Sequence, residues 1–541
     1  MNEHASFKYF HGRVSIYLLL IFVLAFNFAV RWRLRDMPLE RDEGEYAYAG
    51  QLILQGIPPY QIAYNMKFPG VYFAYALLMA VFGKSVAGIH LGLMVVTSIS
   101  ALLLFFIGVE ITGEAGGLFA AATFVCLSAL PKAVGLAGHA SHFVSLFVCC
   151  GVLVLLMARK RIFFIWWFIS GGAFGLAILM TQQAIFFPLF VLAWVFWKER
   201  GRDNLRNKAP VIIAFCGGCA LPLIVVGIIF ACAGVWGKFI FWTIQYAHEY
   251  VSIFPLRLVP EQFALGFDPV FESGMWVWAS AMAGLFFLFR KREWKGPAEL
   301  AGILFLAGMA AVFPGFYFRN HYFIMAMPGL SLLNAVFILG VANTLKESAV
   351  HGLKWMAPCL ALFILGNLVV NNRKAWFAMT PIELSRQLYS INPFPESIPI
   401  AAYLRSHTSP GDTIAVLGSE PQIFFLSGRH SASGYLYLYP LTEPQPLAPQ
   451  MGKEFMAQVE TARPAYVVFV NLAGSWYSVV RPESLRSASV IQQWWDDYST
   501  NYELAGSVKI STDQPDEFFW DRQLLDRPGA TNDDILIYRR K

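Results

Sequence analysis

The chain of 541 residues is built around apolar blocks, each about 20 residues long, which is the length that crosses the hydrocarbon core of a bilayer. Hydrophobic residues make up 57% of the chain and charged residues only 14%, whereas about a quarter of a typical soluble domain is charged. Both features predict a polytopic α-helical membrane protein. The predicted spans are residues 14–30, 86–108, 115–131, 142–158, 162–180, 184–197, 210–232, 275–290, 296–313, 321–342 and 355–371.

The distribution of Lys and Arg predicts the orientation of these spans. Alternate loops are rich in basic residues, and the positive-inside rule assigns such loops to the cytoplasm. This orientation also places the N-terminus inside and the C-terminal region outside. The basic loops are residues 159–161, 198–208, 290–295 and 346–354, whereas one outer loop departs from the rule by carrying Arg31, Arg33, Arg35 and Arg41.

Residues 68–82 are apolar but short for a span. Counting them as a span would reverse every later loop and place the basic loops outside. We therefore interpret this segment as a helix that lies at the outer membrane interface.

The sequence RDEGEYAYAGQLILQGIPPY, residues 41–60, places adjacent acids just after the first span. Asp42 and Glu45 have helical spacing, with Asp42 suited to an N-cap and Glu45 to completing a capping box. Gly56 and the prolines after it end the predicted helix. Capping accounts for Asp42 and Glu45, but it does not require Glu43 between them, so a chemical role for this stretch stays open.

Other polar residues fall on the same predicted outer face. Lys67, in YNMKFPGVYF, is either a lysine that snorkels to the membrane surface or part of a site. His139 and His142 have a spacing that suits metal ligands, although such a pair alone does not make a metal site. The sequence PGFYFRNHYFIMAMPGL is either an aromatic belt with a snorkelling arginine or a second part of the site; it contains Arg319, His321 and Tyr322.

This arrangement resembles the GT-C class of integral membrane glycosyltransferases, in the bacterial branch that includes aminoarabinose–lipid A transferases and relatives of protein O-mannosyltransferases. The resemblance rests on RDEGEYAYAGQLILQGIPPY, NMKFPG, RNHYFIMAMPGL and the later segment IPIAAYLRSHTSPGDTIAVLGSEPQIFFLSGR. It implies an inverting enzyme that moves a sugar from a polyprenyl-phosphate donor to an acceptor hydroxyl. It also implies action at the outer face of the cytoplasmic (inner) membrane of a bacterium.

The resemblance implies a role for individual residues. Asp42 matches the catalytic base, and Glu43 would support it by positioning the acceptor or tuning Asp42. Lys67 matches the lysine that contacts the donor phosphate. The loop of residues 314–322, which we call the late loop, would supply phosphate or sugar contacts from Arg319 and His321. The predicted substrate-binding set is completed by Tyr322, His139, His142 and Tyr60.

The sequence also departs from the family pattern. Met66 and His142 stand where relatives often have acids, and Gln182 and Gln183 stand where some have a lysine. These differences weaken the inference of a metal site, so no cofactor is predicted with certainty and a divalent metal stays an open alternative. The expected partners are the lipid-linked donor, a glycan, lipid or protein acceptor, and membrane lipid, but no nucleic acid.

The composition changes after residue 371. We predict a transmembrane catalytic domain over residues 1–371 and an extracytoplasmic α/β domain over residues 372–541. The second domain either covers the site and helps to hold the acceptor, or is a structural appendage. Its predicted elements are helices at 398–407 and 490–498 and strands at 413–417, 465–470 and 534–538.

A membrane transporter is the alternative function. Transporters usually contain repeats and polar residues near the middle of the membrane. The sequence has no evident internal repeat, and its candidate residues lie in outer loops, which favours the enzyme.

Overall fold

A computed structural model describes residues 3–160, 163–198, 205–290, 296–346, 351–477, 482–511, 514–524 and 529–541. The described residues up to Arg373 are mostly helical. The helices are α1 (Glu3–Arg33), α2 (Arg41–Leu54), α3 (Gly70–Phe82), α4 (Val86–Ser128), α5 (Ala140–Lys160), α6 (Phe164–Met180), α7 (Phe186–Lys198), α8 (Leu205–Cys232), α9 (Trp236–Ile240), α10 (Ala247–Ser252), α11 (Val259–Ser273), α12 (Met275–Arg290), α13 (Glu299–Val312), α14 (Met327–Lys346) and α15 (Met356–Arg373).

Among the described residues, six helices are long and apolar enough to cross a membrane, or seven if the bent pair Leu256–Ser273 and Met275–Leu288 is one span. Every predicted span overlaps a helix or half of one, which confirms the polytopic helical class. Parts of the basic loops lie outside the described residues, at 161–162, 199–204, 291–295 and 347–350. The orientation of the spans therefore stays a prediction.

The predicted spans 86–108 and 115–131 form the two halves of α4. The chain reverses between them at Gly113, whose φ of 80° favours glycine. The halves pack closely, because a Cβ on Gly117 would lie 2.4 Å from the carbonyl oxygen of Phe105. Glycines at the turn and at the contact thus create a helical hairpin.

The packing divides the chain into two units. The first contains Met1–Arg35, His90–Ile228 and Phe254–Met379, and the second contains Asp36–Ile89, Ile229–Ile253 and Thr380–Lys541. The C-terminal residues thus pack with two segments that the sequence analysis assigned to the membrane domain. The domain boundary at residues 371 and 372 remains a prediction.

In the first unit, small residues allow helices to approach closely. A Cβ on Gly171 would lie 2.0 Å from the carbonyl oxygen of Phe215, and one on Gly175 would lie 2.3 Å from that of Cys219. The backbones of α6 and α8 are therefore in direct contact, as is common for small residues in membrane helices.

The C-terminal part of the second unit is an α/β fold. Its elements are α16 (Pro381–Tyr389), α17 (Ser397–Ser406), β1 (Thr413–Leu417), α18 (Gln422–Ser427), β2 (His430–Ser431), α19 (Tyr439–Thr442), α20 (Ala448–Ala462), β3 (Tyr466–Val470), α21 (Ala473–Trp476), α22 (Pro482–Tyr498), β4 (Tyr502–Lys509), β5 (Glu517–Trp520) and β6 (Ile535–Arg540). The three predicted strands are present as β1, β3 and β6, and both predicted helices are present as α17 and α22. The α/β class of this region is confirmed.

The six strands form one sheet in the order β2-β1-β3-β6-β4-β5. β1 is parallel to β2 and β3, with Ile414 opposite Tyr466 and Leu417 opposite Phe469. β6 is antiparallel to β3 and β4, and β4 is antiparallel to β5. The apolar residues of β1 and β3 are buried except for the partly exposed Phe469, which explains why their continuous apolar runs were recognisable in the sequence.

Candidate active site

The acids of residues 40–45 lie in the first turns of α2. Glu40 is the N-cap, and its carboxylate accepts a hydrogen bond from the backbone N–H of Glu43 at 2.8 Å. The alternative interpretation, in which Asp42 only caps the helix, is therefore wrong, because α2 begins at Arg41 and Asp42 lies inside its first turn. Since Glu40 supplies the cap, the carboxylate of Asp42 is available for other contacts.

Lys67 joins two of these acids. Its Nζ atom lies 2.7 Å from Oδ1 of Asp42 and 2.8 Å from Oε2 of Glu45. Residues three apart on a helix lie on one face, so Asp42 and Glu45 can contact the same ammonium group. Asp42 and Lys67, 25 residues apart in the sequence, are therefore direct partners within the second unit.

Glu45 has two further partners. The Tyr72 hydroxyl donates to its Oε1 at 2.5 Å, and the Tyr437 hydroxyl donates to its Oε2 at 2.8 Å. Tyr437 belongs to the C-terminal region, between β2 and α19. That region therefore contributes a side chain to the acid–lysine cluster that we define as Asp42, Glu45 and Lys67.

The two acids of this cluster differ in accessibility. The side chain of Asp42 is 25% exposed and that of Lys67 is 23% exposed, whereas that of Glu45 is 1% exposed. Asp42 is thus the carboxylate that a ligand can reach. Glu45 is a buried counter-ion.

Burial and the ion pair between Glu45 and Lys67 shift the pKa of each group in opposite directions. Burial raises the pKa of Glu45, and although Lys67 opposes this, the pKa stays above its usual value. Burial alone would lower the pKa of Lys67, but the Asp42 and Glu45 carboxylates outweigh it and raise that pKa well above its usual value. Lys67 is therefore a permanent cation. The pKa of Glu40 also lies well above its usual value, because burial raises it most and the charges of Asp42 and Glu43 raise it further.

Two glycines allow other elements to approach α2. A Cβ on Gly44 would lie 2.5 Å from the backbone nitrogen of Gln422 in α18, and one on Gly50 would lie 2.9 Å from that of Ala76 in α3. Close packing on both sides fixes the position of the α2 acids.

An ion pair attaches the start of α2 to the C-terminal region. Nη2 of Arg41 lies 2.6 Å from Oε1 of Glu420, which is buried, and 3.1 Å from Oδ1 of Asn392. Burial lowers the pKa of Arg41, but the Glu420 charge outweighs burial and the net direction is upward.

The arginines that depart from the positive-inside pattern have structural partners. In the first unit, Arg31 donates to the carbonyl oxygens of Ser128 at 2.8 Å and Gly135 at 3.1 Å, and Arg33 donates to that of Met379. These arginines satisfy carbonyl groups at chain ends and turns. Local structure thus accounts for their position.

The structure places Glu43 and Tyr60 beside the cluster. Glu43 is completely buried, and as the neighbour of Asp42 in a helix it projects in a different direction. Tyr60 is also buried, has a positive φ of 66°, and donates from its hydroxyl to the carbonyl oxygen of Lys67 at 2.7 Å. Tyr60 therefore helps to fix the loop that carries Lys67.

The predicted histidines and the late loop lie in the first unit. His139 and His142 are buried at the start of α5. The imidazole rings of His139 and His321 are stacked, with centroids 3.9 Å apart and planes inclined by 4°. The ring of Tyr322 meets that of His321 edge-on at 4.8 Å. The sequence spacing pointed to His139 with His142, but the stacked partner of His139 is His321.

The loop that carries Arg319 is held in a strained conformation. Phe316 and Phe318 have positive φ angles of 57° and 43°, which non-glycine residues rarely adopt. Hydrogen bonds from Gln262 to the Tyr317 carbonyl oxygen and from Asn320 to the Gly266 carbonyl oxygen, at 3.0 and 3.1 Å, anchor it to α11. Arg319 is exposed and lies 5.6 Å from the centroid of the Tyr317 ring. Strain of this kind is often stored at functional sites.

Nitrogen atoms of His139 and His321 lie within 4.8 Å of one another. Imidazole nitrogens bind ions such as Zn²⁺ at about 2.0–2.1 Å, so the two nearly parallel rings would have to turn toward a common point to hold one ion. A divalent metal remains consistent with these residues.

Sequence reasoning did not find all of the residues that form the acid–lysine cluster. Glu45 was assigned to a capping box, although its spacing from Asp42 was the signal that both face one partner. Tyr72 was recognised only as part of an apolar helix. Tyr437 gave no signal, because 392 residues separate it from Glu45.

Comparison with known proteins confirms the resemblance to GT-C glycosyltransferases. Residues 66–230 match the family described as dolichyl-phosphate-mannose-protein mannosyltransferase. No curated protein sequence matches the chain significantly.

The fold is similar to those of solved membrane enzymes. ArnT from Cupriavidus metallidurans, solved with bound undecaprenyl phosphate, is 15% identical with a TM-score of 0.55, and the match covers 91% of this chain and 92% of ArnT. The archaeal oligosaccharyltransferase AglB from Archaeoglobus fulgidus, solved with an inhibitory peptide and a dolichol-phosphate, is 11% identical with a TM-score of 0.54. That match covers 96% of this chain and 75% of AglB. The Archaeoglobus enzyme has also been solved with Zn and sulfate, at 12% identity, a TM-score of 0.51, and coverage of 94% of this chain and 74% of that one.

Proposed function

We propose that this chain, which has the fold of the GT-C glycosyltransferases, transfers a sugar from a polyprenyl-phosphate carrier to an acceptor hydroxyl. The observation that carries the proposal is the partly exposed carboxylate of Asp42, whose Oδ1 lies 2.7 Å from Nζ of Lys67. A base and a fixed cation thus lie side by side. This combination suits an attack in which a hydroxyl loses a proton and a phosphate leaves.

The reaction balances as a single displacement. The acceptor oxygen forms a bond to the anomeric carbon as the bond between that carbon and the donor phosphate oxygen breaks. The hydroxyl proton passes to the Asp42 carboxylate, and the bonding electrons leave with the polyprenyl phosphate. One displacement inverts the anomeric centre. A base within hydrogen-bond reach contributes typically ~10²–10⁴-fold to the rate.

Cations stabilise the charge that develops on the leaving phosphate. Two Lys67 protons face Asp42 and Glu45, and a third remains for a phosphate oxygen. Arg319 is exposed and can form paired hydrogen bonds to phosphate. Fixed charges at a site with restricted water stabilise a transition state more strongly than they would in bulk water.

The remaining predicted residues receive supporting roles. His321 and Tyr322 are half-buried on the anchored late loop, where they can contact the sugar or phosphate. His139 supports His321 through ring stacking, and buried His142 and Tyr60 maintain the adjoining loops. We retain Glu43 as a buried charge that tunes Asp42.

A divalent ion, if used, would be held by His139 and His321 together with water or substrate oxygens. Such an ion would supply additional positive charge for the leaving phosphate. ArnT bound to undecaprenyl phosphate and AglB bound to dolichol-phosphate support a lipid-linked donor. We place the reaction at the outer face of the bacterial cytoplasmic membrane, with a glycan, lipid or protein as acceptor.

A panel of donors tests the proposed function. The purified full chain in nanodiscs would be incubated with radiolabelled polyprenyl-phosphate hexoses and pentoses and a membrane extract as acceptor. We expect release or transfer of sugar from at least one donor, dependent on Asp42. The proposal would be overturned if the folded wild type turned over none of the lipid-linked sugars and gave the same result as Asp42→Asn with every donor.

The transporter alternative is not favoured. The family match and the fold point to glycosyltransferases. Flux of a sugar into proteoliposomes without cleavage of any lipid-linked donor would favour transport.

A further inference from the structure

Glu45 is the most enclosed charged group of the acid–lysine cluster. Its side chain is 1% exposed, and both of its oxygens accept hydrogen bonds. The donors come from three parts of the second unit: Lys67 from the loop before α3, Tyr72 from α3, and Tyr437 from the C-terminal region. Breaking a buried, hydrogen-bonded charge pair is strongly unfavourable. The position of Glu45 is therefore fixed.

Glu45 and Asp42 compete for the same ammonium group. Nζ of Lys67 lies 2.7 Å from Asp42 and 2.8 Å from Glu45, so neither acid holds it alone. An ammonium that faced only Asp42 would stabilise its ionised form and make it a weaker base. A second carboxylate offsets that effect and keeps Lys67 in place.

We propose that Glu45 is a positioning residue for the transfer reaction, a fixed carboxylate that shares Lys67 with Asp42 and so leaves Asp42 able to accept a proton. This inference rests on the proposed function. In this inference Asp42 accepts the proton of the reacting hydroxyl, whereas Glu45 holds Lys67 in place. Tyr437 links the C-terminal region to this arrangement.

Several other groups influence the charge at this position. Tyr437 also donates to the Arg41 carbonyl oxygen at 3.1 Å, and Nζ of Lys67 lies 4.6 Å from the Tyr46 ring centroid. The titratable and charged groups around Glu45 are Glu40, Arg41, Asp42, Glu43, Tyr46, Tyr60, Lys67, Tyr72 and Tyr437. Lys67 is a cation in direct contact with both Asp42 and Glu45.

The test uses Glu45→Gln, which keeps the size and one of the two acceptor oxygens but removes the charge. Glu45→Asp restores the charge on a shorter side chain. Glu503→Gln is the matched control, because it removes an acid from an ion pair of the second unit that is half-exposed on the sheet. The full chain in nanodiscs is assayed for transfer across a pH range, with kcat and donor KM measured separately.

For Glu45→Gln we expect kcat to fall by up to ~10-fold, because a less basic Asp42 is a poorer proton acceptor. The acid limb of the pH–rate profile should move to lower pH by about one unit, since Lys67 then faces Asp42 alone. Donor KM should change little, because Lys67 stays charged. Glu45→Asp should recover part of kcat, and Glu503→Gln should match the wild type.

An unchanged acid limb in folded Glu45→Gln would overturn the inference, even if kcat fell, because a purely structural role changes the amount of active protein but not the shape of the profile. Failure of the proposed function looks different: Asp42→Asn would then be as active as the wild type. If Glu45→Gln does not fold, Tyr437→Phe replaces it, because it removes one donor to Glu45 and keeps every charge. Tyr437→Phe should lower kcat by a smaller factor than we expect for Glu45→Gln. A kcat and a pH–rate profile equal to those of the wild type would overturn the inference.

Discussion

The Nζ atom of Lys67 lies 2.8 Å from the Oε2 atom of Glu45, and this ion pair is buried on the carboxylate side and partly exposed on the lysine side. The same ammonium reaches Asp42 at 2.7 Å. The pair therefore connects a fully enclosed charge to an accessible one. Replacing single members of this arrangement should affect stability and activity in different ways.

Lys67→Met should destabilise the protein by about 3 kcal/mol at neutral pH, because it leaves the buried Glu45 charge without its cation. The penalty should shrink as the pH falls, since protonation removes the charge on Glu45. Arg539→Met is the control, because its partner Glu503 is 49% exposed and such pairs contribute about 0–1 kcal/mol. Thermal unfolding at several pH values measures both effects. Equal, pH-independent losses in the two variants would contradict the burial argument.

Glu40→Gln should stabilise the protein at neutral and higher pH. The folded-state pKa of Glu40 is raised by burial and by the Asp42 and Glu43 charges, so ionisation costs more in the folded than in the unfolded state. The cost is absent below the unfolded pKa and grows as pH rises toward the folded pKa. Glutamine keeps an oxygen for the Glu43 N–H. The unfolding midpoint of the variant should thus exceed that of the wild type more at pH 8 than at pH 4, and the opposite pH trend would contradict this interpretation.

Gly171→Ala should destabilise the first unit, whereas Gly172→Ala should have little effect. A Cβ on Gly171 would lie 2.0 Å from the Phe215 carbonyl oxygen, but one on Gly172 would meet only the Gly218 oxygen at 3.8 Å. Forcing α6 and α8 apart should cost at least ~1–3 kcal/mol. Unfolding of the two variants in the same lipid compares adjacent positions of one helix. Similar stability in both would show that the helices separate without cost.

Zn²⁺ should raise the unfolding midpoint of the full chain if the stacked histidines hold a metal. His139→Ala and His321→Ala should each remove the shift, because each deletes an imidazole ligand. His407→Ala is the control, since His407 contacts Tyr403 in the C-terminal region. Equilibrium dialysis with Zn²⁺ gives a second readout without catalysis. Retention of both the shift and the bound ion in the two alanine variants would exclude this site.

The helices and the buried strands could be predicted because long or continuous apolar runs leave few alternatives. β1 was predicted at the residues where it occurs, Thr413–Leu417, since both faces of that strand are covered. β4 and β5 were missed because polar residues such as Glu503 and Glu517 interrupt their apolar pattern.

The site was only partly predictable for a different reason. Asp42 and Lys67 could be assigned to one outer region from their sequence positions, but the N-cap at Glu40 could not, since short polar side chains are the usual caps. The contact between Tyr437 and Glu45 depends on the tertiary fold. The stacking of His139 on His321 depends on how α5 and the late loop pack within the first unit.

The most direct test of the account is the single-turnover rate of Asp42→Asn with the lipid-linked sugar that the wild type uses. Asparagine keeps the shape and an acceptor for Lys67, but it cannot take the proton from the acceptor hydroxyl. We expect the rate to fall ~10²–10⁴-fold, with an unfolding midpoint close to that of the wild type. A rate equal to that of the wild type would contradict the assignment of Asp42 as the base.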